Sequence, residues 1–329
     1  MTMSIELKLT QWYQKAHRTL PFRVNQDPYR IWISEIMAQQ TQIDTLLPYY
    51  ERWMLKYPDL KQLSQAPIAE LLKCWEGLGY YSRVRNIHQA AQEIQLNYQG
   101  IFPSNLAQIR SLPGIGPYTA SAIASICFET KTAAIDGNVK RVMSRLFLWD
   151  ESLLKAEFTQ KITTTIETWM LTQQPSILTQ ALMELGALVC NKQAKCLECP
   201  LQNDCLAQQT HQVHLYPSVK EKLAKKIEHI EVIYLMNKQH EIALTLDHSD
   251  ALMKGYYRFP TLKQVDISLL TLKKESQITH VFTHKLWEVT FFSAQTDLDY
   301  PEFKWISKSN LNDIPIITLH RKFLQSKPL

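Results

Sequence analysis

The sequence predicts a multidomain chain of 329 residues: an all-α domain over residues 1–207, a linker over 208–226 and a smaller α+β domain over 227–329. Three observations carry that division. Through the first domain, apolar residues recur at three- and four-residue spacing, the period of helices with a buried face. Four of the six cysteines crowd into residues 190–205, at the close of that helical half. Beyond them, a polar segment leads into short β-branched and aromatic stretches, the composition of strands.

In chain order, Asp27-Pro28 is a helix-start signal, and Trp32, Ile36, Gln39, Ile43, Leu47 and Tyr50 form the stripe behind it. The same periodicity predicts helices over 68–75, 82–96, 117–128, 138–148, 158–171 and 177–189. Residues 208–226 are polar, hold Pro217 and end in a basic run, which suits a linker tracking along a surface. Strands are expected over 231–235, 241–246, 278–283 and 287–292.

Composition narrows the classes. A net charge of +5 is compatible with a nucleic-acid partner without requiring one. Glu6 and Lys8 interrupt the start where an export signal needs an unbroken apolar core, so a cytoplasmic location is expected. The run 111–128 is uncharged over the length of a membrane span, but Pro113, Gly114, Gly116 and Pro117 make it a turn feeding a buried helix. No membrane partner is expected. All glycines but Gly255 lie between Gly77 and Gly186, so they mark particular backbone needs in that half.

Cys190, Cys196, Cys199 and Cys205 stand at spacings of five, two and five intervening residues. Disulfides do not suit a chain without an export signal. Structural zinc usually takes two short knuckles set well apart, whereas a single knuckle flanked by medium loops suits one [4Fe–4S] cluster. Zinc and unligated thiols are the alternatives. Cys74 and Cys127 sit in apolar helical patterns and read as core.

Three further segments carry chemistry. Gly114 and Gly116 flank Ile115, with Pro117 ready for the first turn of a helix. Such a turn can bring backbone N–H groups and the positive end of a helix dipole to a phosphate; it can also be a plain tight turn between helices. Asp136 and Asn138 precede or open a helix as cap residues do, and Lys140 and Arg141 behind them suit either phosphate contacts or a solvated face. Glu35 lies at the border of an apolar stripe, where desolvation raises a carboxyl towards general-acid duty; an edge-of-core glutamate paired with an arginine is the bland alternative.

The order of these segments is more telling than any one of them. SEIMAQQT, GLGYYSRVRN, LPGIGPYTA, IDGNVKRV and QALMELGALVC with its cysteines resemble, over residues 10–207, the helix-hairpin-helix DNA glycosylases, and within them the adenine DNA glycosylases. The resemblance implies a helix-hairpin-helix at about 104–128, a [4Fe–4S] loop at 190–205, and removal of adenine mispaired with 8-oxoguanine or guanine from double-stranded DNA. Glu35 matches the acid that protonates adenine N7, and Asp136 the carboxylate that stabilises the oxocarbenium-like sugar. Tyr118 and Asn138 match positions that hold them. Gln40 and Tyr80 match wedge positions, and Arg18, Leu20 and Arg23 positions near the base pocket; Gly114, Gly116 and Lys140 belong to the DNA-facing set.

Residues 255–260 and Phe282-Thr283-His284 resemble the Nudix-like mispair-recognition domain of that family, without the paired acidic residues of Nudix hydrolysis. Tyr118 stands where bifunctional relatives carry a lysine, which implies a monofunctional enzyme. A bifunctional glycosylase/lyase and a non-enzymatic iron–sulfur DNA-binding module are the competing readings, and a monomer is expected. Three departures from the family pattern stand out: five rather than six residues between Cys190 and Cys196, Thr283 where serine is common, and Ala38 where a larger apolar residue is common.

Overall fold

The computed structural model describes residues 3–150, 155–218, 225–246, 253–282 and 285–326. Two compact units form, and they do not follow chain order. Residues 1–61 and 89–221 make one, and residues 62–88 and 222–329 the other.

Helices α1 (Ile5–Ala16), α2 (Pro28–Ala38), α3 (Ile43–Lys56), α4 (Leu60–Gln65), α5 (Ile68–Trp75), α6 (Ser82–Asn97), α7 (Leu106–Ser111), α8 (Pro117–Phe128), α9 (Gly137–Phe147), α10 (Lys155–Trp169), α11 (Pro175–Leu188) and α12 (Leu206–Gln209) account for most of the first 209 residues. The stripe from Trp32 to Tyr50 is split between α2 and α3. Gln39 leaves the helix, and Gln40 takes the left-handed conformation (φ 59°), which ends one helix before Ile43 starts the next.

Three helices of the first unit are buried almost all round. Thr119 to Ile126 of α8 are all buried, as are most residues of α11. In α2, every residue from Ile31 to Met37 is buried except Glu35. The small side chains Ala120, Ala122, Ala124 and Ser125 let α8 lie close against both α2 and α11. Ser125 receives a hydrogen bond from Thr179 of α11 at 3.0 Å, so the polar groups in this contact are paired rather than stranded. Helix α11 also packs on α9 and α1. These contacts bring the middle of α2, the start of α8, the head of α9 and the C-terminal half of α11 to one place.

The polar stretch before residue 219 is docked rather than free. The Tyr216 carbonyl accepts from Arg145 Nε at 2.8 Å, and short helical turns cover Leu206–Gln209 and Val213–Leu215.

In the second unit the described strands are β1 (Lys226–Met236), β2 (Glu241–Leu246), β3 (Tyr257–Arg258), β4 (Lys273–Val281), β5 (Lys285–Gln295) and β6 (Lys304–Ser307), and helix α13 (Thr318–Ser326) joins α5 there. They join in the order β3-β2-β1-β5-β4, with β6 also on β2. The pair β1 and β5 runs parallel over its whole length, from Lys226 opposite Lys285 to Met236 opposite Gln295. Strands β1, β4 and β5 are longer than their apolar runs predict, because polar residues such as Glu228, Gln277 and Ser293 extend the pairing. Both faces are covered. Phe291 stacks on Phe323 of α13 (4.4 Å, 6°), while Ile233, Leu235, Ala243 and Ala294 meet Tyr300 and Phe303 on the other side.

Residues 62–88 join this unit through specific contacts. Tyr256 is buried, stacks on Tyr81 at 3.9 Å and donates to the Leu72 carbonyl at 2.6 Å. Arg321 holds Glu76 with Nε and Nη2 at 2.6 and 3.2 Å. A Cβ on Gly255 would come within 2.8 Å of Leu72, and its φ of +85° is one that other residues rarely adopt. The glycine of the 255–260 segment is therefore spent on packing against α5.

Candidate active site

A cleft of about 920 Å³ opens where α2, α8, α9 and α11 meet, a size in the range of small-molecule sites. Glu35, partly buried, projects into it from α2. Tyr118, in the first turn of α8, donates its hydroxyl to Glu35 Oε2 at 2.8 Å. Burial pushes the Glu35 carboxyl up to about 7, with Asp136 adding to the rise and the Tyr118 hydrogen bond and Arg23 opposing it. Burial also keeps Tyr118 well above its ordinary value, so it remains a neutral donor. Oε2 is occupied as an acceptor, which leaves Oε1 to carry the proton.

Asp136 is both a cap and a site residue. It caps α9, its Oδ1 accepting from Val139 N at 2.7 Å, while Oδ2 accepts from Asn138 Nδ2 at 2.8 Å. Burial raises it from its ordinary value, against the hydrogen bonds from Val139 and Asn138 and the charge of Arg141. Asn138 is fixed in turn: Arg141 Nη2 donates to its Oδ1 at 2.8 Å and to the Gly186 carbonyl at 2.7 Å, and Arg141 Nε to the Cys190 carbonyl at 2.7 Å. The amide orientation is thus set by a donor that cannot become an acceptor.

Of the residues singled out from sequence, Arg18, Arg23, Glu35, Gln40, Tyr118, Asp136 and Asn138 line this cleft, as does Ala38. Others do not. Leu20, expected to touch DNA, is 4% exposed and belongs to the core, its carbonyl accepting from Arg23 N. Lys140 lies outside the cleft lining. Gly114 and Gly116 sit in the exposed turn between α7 and α8, anchored by the buried Ile115. Tyr80 belongs to the second unit, half-exposed and in the left-handed region (φ 48°), with the Arg83 guanidinium 5.4 Å from its ring. Phe282 packs against His280 and Trp287 at the end of β4. Thr283 and His284 lie outside the described residues.

Two cleft residues escaped the sequence reading. Glu184 of α11, fully buried, accepts from Arg18 Nε, Arg18 Nη2 and Arg23 Nη1 at 2.8–2.9 Å. Although burial acts to raise it, these hydrogen bonds and charges hold its carboxyl at about 2. An acidic residue between Leu182 and Leu185 on an apolar helix was the available signal. Gly186 packs so closely on Asn138 that a Cβ would fall 2.6 Å from the Asn138 Cβ.

The four clustered cysteines converge on one small cavity of about 30 Å³, shared with Arg145, Val189, Ala194 and Lys195 and with no His, Asp or Glu in its wall. Arg145 Nη1 lies 3.4 Å from Cys190 Sγ, and Cys205 Sγ approaches the Arg145 carbonyl at 3.3 Å. Among the described residues, no group of three or more His, Cys, Asp or Glu side chains is placed to hold a single metal ion.

Comparison with known proteins decides the family. A family model described as HhH-GPD superfamily base excision DNA repair protein matches residues 33–168. An adenine DNA glycosylase of Buchnera aphidicola subsp. Acyrthosiphon pisum is 34% identical over 268 residues, covering 80% of this chain and 76% of its own. This chain belongs to the adenine DNA glycosylases. The adenine DNA glycosylase of Buchnera aphidicola subsp. Baizongia pistaciae is 33% identical over 296 residues, with 86% and 83% coverage. The Homo sapiens adenine DNA glycosylase is 38% identical over 217 residues, 61% of this chain and 39% of that one. Among solved structures, a thermostable thymine-DNA glycosylase superposes with a TM-score of 0.56 at 24% identity, covering 62% of this chain and 95% of its own. A non-covalent endonuclease III–DNA complex gives 0.51 at 24%, covering 62% and 93%. The chain is a DNA glycosylase of base excision repair with the helix-hairpin-helix helical fold and a second, sheet-containing unit. No helix among the described residues is long and apolar enough to cross a membrane.

For this adenine glycosylase, Gly186→Ala is expected to cost about 1–3 kcal/mol of stability, the usual penalty of overpacking. It should also slow base release by displacing Asn138 and with it Asp136. Urea unfolding beside single-turnover excision checks both; a variant with unchanged stability and rate would contradict the close contact.

Proposed function

We propose that this enzyme removes adenine paired with 8-oxoguanine or guanine from duplex DNA, by turning the base out of the stack and hydrolysing its N-glycosidic bond to leave an abasic site. One observation carries the reading: within a single cleft, a carboxyl that holds its proton near neutrality faces a second, firmly hydrogen-bonded carboxylate. Extrusion of the base costs a few kcal/mol and is easiest at a mispair. Glu35 then gives its proton to adenine N7, so that the base leaves as a neutral group. Asp136 stands by the developing positive charge on the sugar, the two-carboxylate logic of glycoside cleavage applied to an N-glycoside. Asn138 and Arg141 keep its oxygens aimed, and Tyr118 keeps Glu35 from turning.

The duplex is held by the turn before α8. Gly114 needs glycine for its own backbone (φ +76°), but Gly116 does not: its φ is negative, and a Cβ there would meet nothing within 4 Å. Its smallness serves a group outside the chain, a DNA phosphate at the α8 N-terminus. The endonuclease III structure that shares this fold is a DNA complex. Tyr118 offers a phenol where an amine would allow Schiff-base strand cleavage, so the enzyme is monofunctional.

Cys190, Cys196, Cys199 and Cys205 would hold a [4Fe–4S] cluster. The donor set is all thiol, and the four side chains ring one cavity, as the thiolate ligands of such a cluster must. When bound, the cluster cross-links the loop that follows α11. The sheet unit, through residues 255–260 and 282–284, is assigned to a Nudix-like mispair-recognition domain.

Incubation with a duplex carrying one adenine opposite 8-oxoguanine tests the reading. Strand breaks at that adenine should appear only after alkali; breaks as fast as base loss would refute the monofunctional assignment, and an intact adenine would refute the substrate. Broad visible absorbance, lost with iron, should accompany the active protein; a colourless zinc protein would refute the cofactor.

A further inference from the structure

Glu184 holds two arginines with one carboxylate. It is fully buried in α11, yet it takes Arg18 through Nε, Nη2 and the backbone N–H, and Arg23 through Nη1. Arg23 is itself mostly buried, with 13% of its side chain exposed, and it sits near enough to Glu35 to favour the charged form of that carboxyl. A guanidinium beside a carboxyl that must stay protonated is a hazard: direct pairing would strip the proton, because the ion pair needs a carboxylate.

We propose that Glu184 is a positioning residue of the excision site, which occupies Arg23 and so keeps it out of an ion pair with Glu35. The inference rests on the reading of Glu35 as the proton donor. Arg18, fixed by the same carboxylate, completes the arrangement: Glu184 is saturated from both sides, and neither guanidinium is left to swing towards α2.

The surroundings leave few other groups to titrate. Glu35 is faced by Tyr118 and Cys127 on α8, by Asp136 at the head of α9 and by Arg23 on the stretch after α1. The remaining charged groups of the cleft wall are Arg18, Asp44, Arg141, Glu184 and Lys192. Tyr118 and Cys127 are both pushed far above neutrality by burial, so among these groups it is Glu35 whose titration falls near neutral pH.

The test is the pH profile of single-turnover adenine excision from a mispaired duplex, between about pH 5.5 and 9. In the wild type the rate should fall as pH rises through about 7, as Glu35 loses its proton. In Glu184→Gln the freed Arg23 should move that midpoint down by about one unit, the lower end of what an adjacent guanidinium does to a carboxyl. The rate would then fall about tenfold near pH 8 and change little near pH 5.5. Adding Arg23→Gln to Glu184→Gln should bring the midpoint back. A purely structural role for Glu184 predicts equal loss at every pH, with no recovery in the double variant, and that result, or an unmoved midpoint, overturns the proposal. If Glu184→Gln does not fold, Glu184→Asp, too short to reach both guanidiniums, takes its place with a shift in the same direction expected and an unmoved midpoint decisive against it. Glu35→Gln separates the two readings. If it still excises with the same pH profile, the proton-donor role fails and this inference with it; if it is inactive while Glu184→Gln keeps the wild-type midpoint, only this inference fails.

Discussion

Glu35→Gln is expected to lower single-turnover excision by about a thousandfold, within the range a positioned general acid supplies, while duplex binding is retained. Gln keeps the shape and can still accept the Tyr118 hydrogen bond, so the loss reports the proton and not the packing. Stability should move the other way. The folded carboxyl titrates at about 7 rather than 4.5, a shift that sets on the order of 3 kcal/mol against its ionised form. Below pH 4.5 the group is neutral whether the chain is folded or not, and nothing is lost. Between 4.5 and about 7 the unfolded chain ionises first, and the folded state loses stability until both forms are charged. Glu35→Gln is spared that loss and should be the more stable protein at pH 8. Thermal unfolding at pH 5 and pH 8 checks this, and an inactive variant that is also less stable at pH 8 would point to a structural Glu35 instead.

Asp136→Asn should be nearly as damaging, with excision reduced by about a hundredfold or more, the scale of losing one electrostatic stabiliser of a transition state. The helix survives, since the asparagine oxygen can still cap Val139. The other oxygen becomes an amide that meets Asn138 Nδ2 donor to donor. Asn138 cannot turn to relieve it without giving up Arg141. On the proposed mechanism, the negative charge that stabilises the sugar is gone as well. Binding to the mispaired duplex should persist and base release should not; unchanged release would show that Asp136 is only a helix cap.

Much of this site could be read along the chain because its parts are local. The two glycines and Pro117 that turn α7 into α8 are adjacent, so the hairpin follows from backbone sterics alone. Asp136 caps α9 through the backbone N–H three residues on, and the cap uses one oxygen only, which leaves the proposed chemical role to the other. Glu35 declared itself by interrupting an otherwise buried helix. The four thiols lie within 16 residues and meet because short loops leave them little choice.

The rest depends on partners distant in sequence. Glu184 finds Arg18 and Arg23 across 166 and 161 residues, and no spacing rule connects them. Gly186, within the QALMELGALVC segment that leads into the cysteines, is small because Asn138 packs on it. Residues 62–88 carry a glycine and tyrosine motif that reads as part of the helical half, yet Tyr81 is drawn onto Tyr256 and Glu76 onto Arg321. Composition and periodicity therefore established the helices, the strands, the hairpin and the candidate acid, since hydrophobic pattern and backbone preference act between near neighbours. Which arginine each carboxylate holds, how Glu35 comes to keep its proton and which unit claims residues 62–88 were settled by packing, because burial and charge pairing act between groups that only the folded chain brings together.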